Sequence, residues 1–170
     1  MDICVREISS IDSPIINKWH NDTNLFEDLV GNFYGPTMEE TTKWIKKYNR
    51  EKRKTFRGIV SSLNGQDIGI IYLLQHNKSN SAEVGIFIAD EKYRSQGYGT
   101  EMMKWLLNFG LNILAFEKIY LYTLDTNQRA KNLYKKFGFL VDQSKSKIII
   151  KNGSPKKIIY MFLKKHPTSK

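Results

Sequence analysis

The sequence has little of what secreted and membrane-spanning proteins depend on. Its only cysteine is Cys4, which excludes a disulfide within the chain and fits a reducing compartment. No segment approaches the roughly 18 consecutive apolar residues of a membrane span. The N-terminal MDICVREISS lacks the long apolar run of a secretory signal. We therefore expect a cytoplasmic protein without a membrane partner.

Acidic residues are also scarce, and their distribution is uneven. The chain has 17 Asp and Glu against 27 Lys and Arg, a net charge of +10. Residues 141–170 contain eight lysines and one acid, whereas residues 21–42 contain five acids and no lysine or arginine. The first segment suits an anionic partner and the second a cationic one. Solvated surface is the alternative reading of both.

The chain is long enough for one domain, which we place at 1–170. Alternating apolar runs predict strands, and apolar residues at helical spacing predict helices, in the order β-αα-β-β-β-α-β-α-β-β. Asn64-Gly65 and Asn152-Gly153 are turn signals between paired strands. MMKWLLNFGLNIL predicts a helix through Leu114. This order indicates an α/β (α+β) fold, one sheet with helices packed on it.

The stretch EKYRSQGYGTEMMKWLL, from Glu91 to Leu107, places two glycines where a helix begins. A strand ending near Ala89, a glycine loop and a helix N-terminus together form a typical phosphate-binding cradle. Arg94 adds a fixed cation. The pattern is neither a P-loop nor G-x-G-x-x-G. A glycine-rich turn without a ligand is the alternative.

The residues Arg94–Gly99 resemble the Q/R-x-x-G-x-G/A motif of the Gcn5-related N-acetyltransferases, the GNAT superfamily. AEVGIFIADEKY resembles the family's fourth strand, and LDTNQRAKNLYKKFGF resembles its second signature. The C-terminal hairpin resembles the branch of ribosomal-protein alanine and spermidine acetyltransferases. The resemblance implies a single mixed, mostly antiparallel sheet of about seven strands with about four helices on its faces. It also implies acetyl-CoA as the cosubstrate.

The resemblance also implies a set of cosubstrate contacts. The pyrophosphate-binding loop would comprise Arg94, Gln96, Gly97, Tyr98, Gly99 and Thr100. The pantetheine arm would pair with the backbone of Phe87, Ile88 and Ala89, and Asn127 would lie close to it. Lys135 and Lys136 would reach the nucleotide phosphates, with plain surface exposure as the alternative.

For catalysis, we expect direct attack of an amine on the thioester. A covalent mechanism would need a nucleophile such as Cys4, which we expect instead to be a buried structural thiol. Glu83 is the candidate general base, with a rim carboxylate or a water chain as alternatives. Tyr134 is the candidate general acid, although its spacing also suits a core aromatic. The three histidines are scattered in sequence and no zinc spacing is present, so we expect no metal.

The acidic segment is the candidate acceptor site, because a cationic amine would be drawn to it. We assign Glu27 and Asp28 to this site, with Phe33 and Tyr34 as its walls. Glu39 and Glu40 are weaker candidates, since helix starts favour acids on their own account. A polyamine or a protein N-terminus is expected, with an aminoglycoside or amino-sugar as the alternative.

Other classes of function remain open at this point. The run NREKRK, at 49–54, invites nucleic-acid binding, but no recognition motif accompanies it. A non-catalytic acetyl-CoA-binding module is a further alternative. Relatives of this kind are often dimers, so we expect a homo-oligomer, a dimer first of all.

Overall fold

The computed structural model describes residues 2–27, 29–31, 35–50, 55–76 and 79–165, with the backbone alone at Phe26. Within these ranges the helices are α1 (Ser13–His20), α2 (Thr23–Phe26), α3 (Met38–Arg50), α4 (Tyr98–Leu107) and α5 (Gln128–Lys136). The strands are β1 (Ile3–Glu7), β2 (Phe56–Ser62), β3 (Asp67–Leu74), β4 (Ser81–Ile88), β5 (Lys118–Leu124), β6 (Leu140–Val141), β7 (Lys147–Lys151) and β8 (Ser154–Lys164).

All eight strands belong to one sheet, in the order β1-β2-β3-β4-β5-β8-β6, with β7 also paired to β8. β4 and β5 are parallel, and the other pairs are antiparallel. The prediction of a mixed, mostly antiparallel sheet is therefore confirmed. The strand that sequence patterning missed is β6, because a two-residue strand carries no alternation to detect.

Glycine at two hairpin turns supplies the backbone conformation that each turn requires. Asn152 and Gly153 both have positive φ, 50° and 72°, and connect β7 to β8 through a two-residue turn. Gly65, with φ 75°, turns β2 into β3 and donates its N–H to the Ser62 carbonyl at 2.9 Å. Both turns lie where the Asn-Gly pairs predicted them.

Helices cover both faces of the sheet. One apolar cluster packs α4 and α5 against the sheet through buried residues such as Met102, Met103 and Tyr134. The other packs α1 and α3 on the opposite face, through Ile16 and Ile45. Neighbouring residues of one strand enter opposite clusters because side chains alternate across a strand, as Ile59 and Val60 do.

Two helix predictions are modified by the structure. The first predicted helix is divided in two: α1 ends at His20, and the Asp22 side chain caps α2 by accepting from the Asn24 N–H at 3.1 Å. The glycine-loop helix becomes π-helical over Asn108–Ile113, with the Leu114 N–H donated to Phe109. Gly110 lies there against Leu73 and Ile119, where an added Cβ would come within 2.8 Å.

The prediction that Cys4 is buried is wrong, since Cys4 is exposed on β1. Strand β1 alternates as expected, but its cysteine lies on the solvent side. No helix in the described ranges is long and apolar enough to cross a membrane.

An ion pair fixes the start of α1 against the sheet. Arg6 on β1 donates to both carboxylate oxygens of Asp12, at 2.9 and 2.8 Å, and the Ser9 N–H donates to the same carboxylate at 2.8 Å. Asp12 is 3% exposed. Burial alone would raise the pKa of Asp12, but the hydrogen bonds from Arg6 and Ser9 outweigh it and the pKa is lowered.

We predict that Asp12→Asn lowers the free energy of unfolding by about 2 kcal/mol, because the charged hydrogen bonds are lost. Urea titration at neutral pH measures this. The difference between the proteins should shrink as the pH falls below the unfolded pKa of about 3.9, since a carboxyl with a lowered folded pKa stabilises only while ionised.

The matched control is Glu39→Gln, which removes the Lys43 pair of 2.7 Å between two largely exposed side chains. Its cost should stay below about 0.5 kcal/mol. Equal urea midpoints for the two variants would refute the role of the Arg6–Asp12 pair.

Candidate active site

The candidate active site lies where strands β4 and β5 separate. Their parallel pairing joins Ser81–Glu83 to Lys118–Tyr120. Beyond these three pairs, a cavity of about 880 Å³ lies between the strands, lined by Val84–Ile88 of β4 and by Tyr122 and Thr123 of β5. The open sheet therefore presents part of the β4 backbone to a ligand.

The hydrogen bonding of β4 identifies which backbone groups face the cavity. The Ala89 N–H is donated to the Ile68 carbonyl of the β3 side at 2.9 Å. Because amide groups alternate along a strand, those of Ile86 and Ile88 point the other way, into the cleft. By the same alternation the backbone of Phe87 faces β3, so the predicted pairing with the pantetheine arm is corrected for both Phe87 and Ala89. Ile88 and Ile86 both line the cavity, and the pairing of Ile88 with the pantetheine arm stays a prediction.

The glycine loop leads directly from this strand into α4. Ser95 and Gly97 have positive φ, 61° and 93°, which turns the chain back toward the cleft. The N–H groups of Thr100 and Glu101 both reach the Gly97 carbonyl, at 2.9 and 3.2 Å. The N–H groups that precede Thr100 lie in the first turn of the helix, where backbone N–H groups have no intrahelical acceptor. Such a turn stabilises a bound anion.

The predicted loop residues divide into two groups. Those lining the cavity are Arg94, Gly97, Gly99 and Thr100. The Arg94 Nε donates to the Ile88 carbonyl at 3.2 Å, which ties the loop to the end of β4. Gln96 instead donates to the Lys92 carbonyl, and the Tyr98 ring packs edge-on against Tyr93 at 5.4 Å.

Helix α5 contributes the opposite wall. Asn127 lines the cavity and caps the helix by accepting from the Ala130 N–H at 3.0 Å. Gly138, with φ 82°, ends the helix: its N–H reaches the Lys135 carbonyl, and the Phe139 N–H reaches Tyr134. Lys135 and Lys136 are exposed and lie outside the cavity lining.

Tyr134 lies at the inner end of α5, lines the cavity and is 7% exposed. Its ring packs 5.9 Å from Phe139, as a core aromatic does, and its predicted role as general acid stays a prediction. Burial raises the pKa of Tyr134 to about 12. The phenol therefore stays protonated across the physiological range.

Glu83 is the last residue of β4 that pairs with β5, and it also lines the cavity. Its Oε2 is 2.9 Å from His76 Nε2, and its Oε1 is 3.5 Å from the Tyr72 hydroxyl. Burial and the nearby Glu83 charge both raise the pKa of Tyr72. Both carboxylate oxygens are thus engaged by neighbouring side chains.

Tyr72 reaches Glu83 because its cross-strand partner is a glycine. Tyr72 pairs with Gly85, and a Cβ built on Gly85 would lie 2.2 Å from the tyrosine ring. The ring therefore crosses directly over the β4 backbone. Sequence reasoning missed Tyr72 and His76, since only the β3–β4 register brings them to Glu83.

The far end of the cavity is basic and aromatic. The Arg57 guanidinium lies over the rings of Trp44 and Tyr48, at 5.2 and 4.8 Å from their centroids. Burial lowers the pKa of Arg57 and also that of His20, whose ring meets Trp44 edge-on at 6.0 Å. Among the described residues that line the cavity, Glu83 is the acidic one.

The acidic segment contributes less charge to the cavity than its sequence suggests. Glu39 pairs with Lys43, and Glu40 accepts from the Thr37 N–H at 2.8 Å, closing a helix cap. Glu27 is exposed, and its carbonyl accepts from Lys151 at 3.1 Å. The segment supplies apolar lining instead: Leu25, Leu29, Val30 and Gly31. Asp28, Phe33 and Tyr34 lie outside the described residues.

In the described part of the chain, no three His, Cys, Asp or Glu side chains are grouped so that they could hold a metal ion.

Comparison with known proteins adds to this geometry. Residues 2–140 match the family model described as an acetyltransferase (GNAT) domain. The spermidine N(1)-acetyltransferase of Escherichia coli (strain K12) is 29% identical over 163 residues, covering 95% of this chain and 86% of that protein.

Two structures of the Vibrio cholerae spermidine N-acetyltransferase also match. A crystal structure in complex with CoA and spermine has a TM-score of 0.86, with 22% identity and 95% of each chain covered. A second, described as dodecameric, has a TM-score of 0.79 at 22% identity, over 95% of this chain and 93% of that one. At these identities the likeness establishes the fold.

We predict that Gly85→Ala destabilises the protein by about 2 kcal/mol, because the added methyl group overlaps the Tyr72 ring. Urea unfolding followed by fluorescence measures the change. Gly99→Ala is the control: its Cβ would lie 3.4 Å from Leu133, an ordinary contact, and alanine favours the helix by about 0.5–1 kcal/mol. Equal stability of Gly85→Ala and the parent protein would refute the packing of Tyr72 over β4.

Proposed function

The chain belongs to the acetyltransferase (GNAT) domain family, and on that premise we propose that it acetylates a primary amine of a polyamine. The protein is an acetyl-CoA-dependent N-acetyltransferase. The polyamine is proposed because the similarity to a spermidine acetyltransferase extends over 95% of this chain. The observation that carries the proposal is the cleft between β4 and β5, which leads from a helix N-terminus to Glu83 and Tyr134.

The cosubstrate fits the residues of this cleft. The pyrophosphate is assigned to the start of α4 and to Arg94, where unpaired N–H groups and a guanidinium favour an anion. The pantetheine arm, which carries amide groups, is assigned to the cleft-facing backbone of Ile86 and Ile88. Gly99 lets the arm approach the helix closely, because it has no side chain.

Glu83 is assigned the role of general base. An alkyl ammonium has a pKa of about 10.4, so the amine must lose a proton before it attacks the thioester. Glu83 is the acidic side chain among the described cavity residues, and it is fixed from both sides by Tyr72 and His76. A cationic amine is therefore attracted to the group that deprotonates it.

Tyr134 is assigned to the departing sulfur as a hydrogen-bond donor. Its pKa of about 12 exceeds the ordinary thiol value of about 8.5, so full transfer of its proton to sulfur alone is uphill by about 5 kcal/mol. Tyr134 therefore keeps its proton and stabilises the negative charge that develops on the sulfur by a hydrogen bond. The thiolate is then neutralised by a proton that comes from the attacking amine.

Arg57 favours a second candidate acceptor, an amine that also bears a carboxylate. The guanidinium lines the cavity, and the contacts described for it are the rings of Trp44 and Tyr48 rather than an acid. A positive charge at this place attracts a carboxylate and repels a second ammonium. An amino acid or a peptide would satisfy it.

We also propose a homo-oligomer, a dimer in the simplest case, located in the cytoplasm. Exposed apolar side chains on β6 and β7 support assembly: Leu140, Val141, Ile148 and Ile150. The Vibrio cholerae enzyme has a structure described as dodecameric. Light scattering of the purified protein distinguishes these states.

The acceptor is tested by thiol release from acetyl-CoA against spermidine, spermine, kanamycin, L-amino acids and alanine- or serine-starting peptides. We predict turnover with spermidine or spermine that exceeds turnover with every other amine. Preference for an amino acid, lost in Arg57→Gln, would replace the polyamine by the second candidate. Thiol release with none of them would contradict the proposed function.

We predict that Tyr134→Phe lowers kcat about 100-fold while KM for acetyl-CoA changes little, because the hydroxyl acts on the departing sulfur. Initial rates from pH 6 to 10 measure this. In the parent enzyme the rate should not fall toward pH 10, since Tyr134 remains protonated there.

The control is Tyr93→Phe, which removes a hydroxyl from a ring that packs against Tyr98 outside the cavity lining. It should retain the parent kcat. A fall in the parent rate between pH 9 and 10 that is absent in Tyr134→Phe would contradict the raised pKa.

A further inference from the structure

Amine acetylation releases one net proton in each turnover. The ammonium nitrogen of the acceptor carries three protons and the product amide keeps one. The thiol of CoA takes up one, so one remains. That proton must leave a largely apolar cavity, and the base that receives it must be reset before the next cycle.

His76 is placed to receive this proton. It follows β3, and its Nε2 lies 2.9 Å from Glu83 Oε2, within hydrogen-bonding distance. Glu83 is 20% exposed, whereas His76 is 52% exposed. A single hydrogen bond thus connects the mostly buried carboxylate of Glu83 to an imidazole that is in contact with water.

A second cavity supplies the outer end of the route. It has a volume of about 320 Å³, and His76 and Gln75 line it. It shares Trp44, Arg57 and Leu74 with the main cavity, whereas Glu83 lines the main cavity and His76 lines the second. The Glu83–His76 contact therefore crosses the boundary between the two spaces.

We propose that His76 is a proton relay, which carries the net proton of each turnover from Glu83 to solvent through the second cavity. The inference rests on the proposed function, because it needs an amine that loses protons. Imidazole suits the role, since it is the side chain whose ordinary titration lies between pH 5 and 8.

The relay consists of three proton transfers that balance: from the amine to Glu83, from Glu83 to His76 and from His76 to water. Glu83 takes a proton from the attacking nitrogen; its O–H bond then breaks as an N–H bond forms at His76 Nε2. The imidazolium gives up the proton on its other nitrogen, Nδ1, to water. Glu83 is again a carboxylate, and the neutral imidazole now carries its proton on Nε2. Exchange with water, which takes the proton from Nε2 and returns one to Nδ1, restores the tautomer that can accept at Nε2, so water is the only other reactant.

The other titratable groups near the relay fit this direction of transfer. Lys47, Tyr48 and Arg57 line the second cavity with His76, and Tyr72 meets Glu83 from β3. Lysine and arginine are cations at neutral pH and cannot accept the proton. Burial raises the pKa values of Tyr48 and Tyr72, which keeps both phenols protonated.

A purely structural role for His76, holding Glu83 in place, is separable from the relay. Glutamine at position 76 can still donate a hydrogen bond to the carboxylate, but it cannot carry a proton. Gln75→Ala is the matched control, because Gln75 lines the same cavity and donates to the Ser79 carbonyl at 2.8 Å rather than to Glu83.

The experiment compares thiol release with spermidine for the parent enzyme, His76→Gln and Gln75→Ala in dilute, bulky buffer, then with added imidazole. We expect His76→Gln to lose about tenfold in kcat with KM unchanged, and imidazole to restore it in a saturable way. The parent enzyme and Gln75→Ala should not respond to imidazole. An unchanged kcat in His76→Gln, or a loss that imidazole does not restore, overturns the relay.

A second measurement needs no acceptor. Nitrogen-15 spectra of the His76 ring at one fixed pH should differ between the parent protein and Glu83→Gln, because Nε2 faces a carboxylate in the first and a neutral amide in the second. Identical spectra would mean that the Glu83–His76 contact is absent, which overturns the relay whether or not spermidine is acetylated. Failure of the proposed function shows differently, as absent thiol release by the parent enzyme with every amine.

Discussion

The site depends on the early end of one strand pairing. β4 and β5 run parallel for three residue pairs and then separate. Parallel pairing there would otherwise consume the backbone groups that face the cleft. Because the pairing ends, the amides of Ile86 and Ile88 face a cavity, and the loop that follows β4 begins a helix at its rim. The backbone proposed for binding and the side chains proposed for catalysis thus both face the gap between these two strands.

Much of the fold was accessible from local sequence patterns. The Asn-Gly turns, the alternating strands and the glycine loop are local signals, and the structure contains each of them. Helical spacing placed Tyr134 on the apolar face of α5, whereas its candidacy as general acid came from the resemblance to the family's second signature. The predictions that were modified concern a two-residue strand, a divided helix and a π-helical extension, where tertiary contacts at Gly110 override the local pattern.

The part of the cavity proposed for the acceptor amine was much harder to predict from the sequence, for a physical reason. Tyr72, His76 and Arg57 become cavity groups only through the register of β2, β3 and β4, and one sequence carries no direct record of register. Net charge was a poor guide as well. Glu39 and Glu40 satisfy a surface pair and a helix cap, so the acidic segment contributes mainly apolar side chains to the cavity. Charge counted along a chain does not reveal the direction in which the side chains point.

The contact of Lys151 with the carbonyls of Glu27 and Leu29 has a consequence for biosynthesis. Lys151 lies 124 positions from Glu27 and 122 positions from Leu29 in a chain of 170 residues. Leu29 is synthesised early. Lys151, which contacts its carbonyl, is synthesised late, after the glycine loop and α5. The residues around Leu29 are therefore held by Lys151 only once the last hairpin has been made.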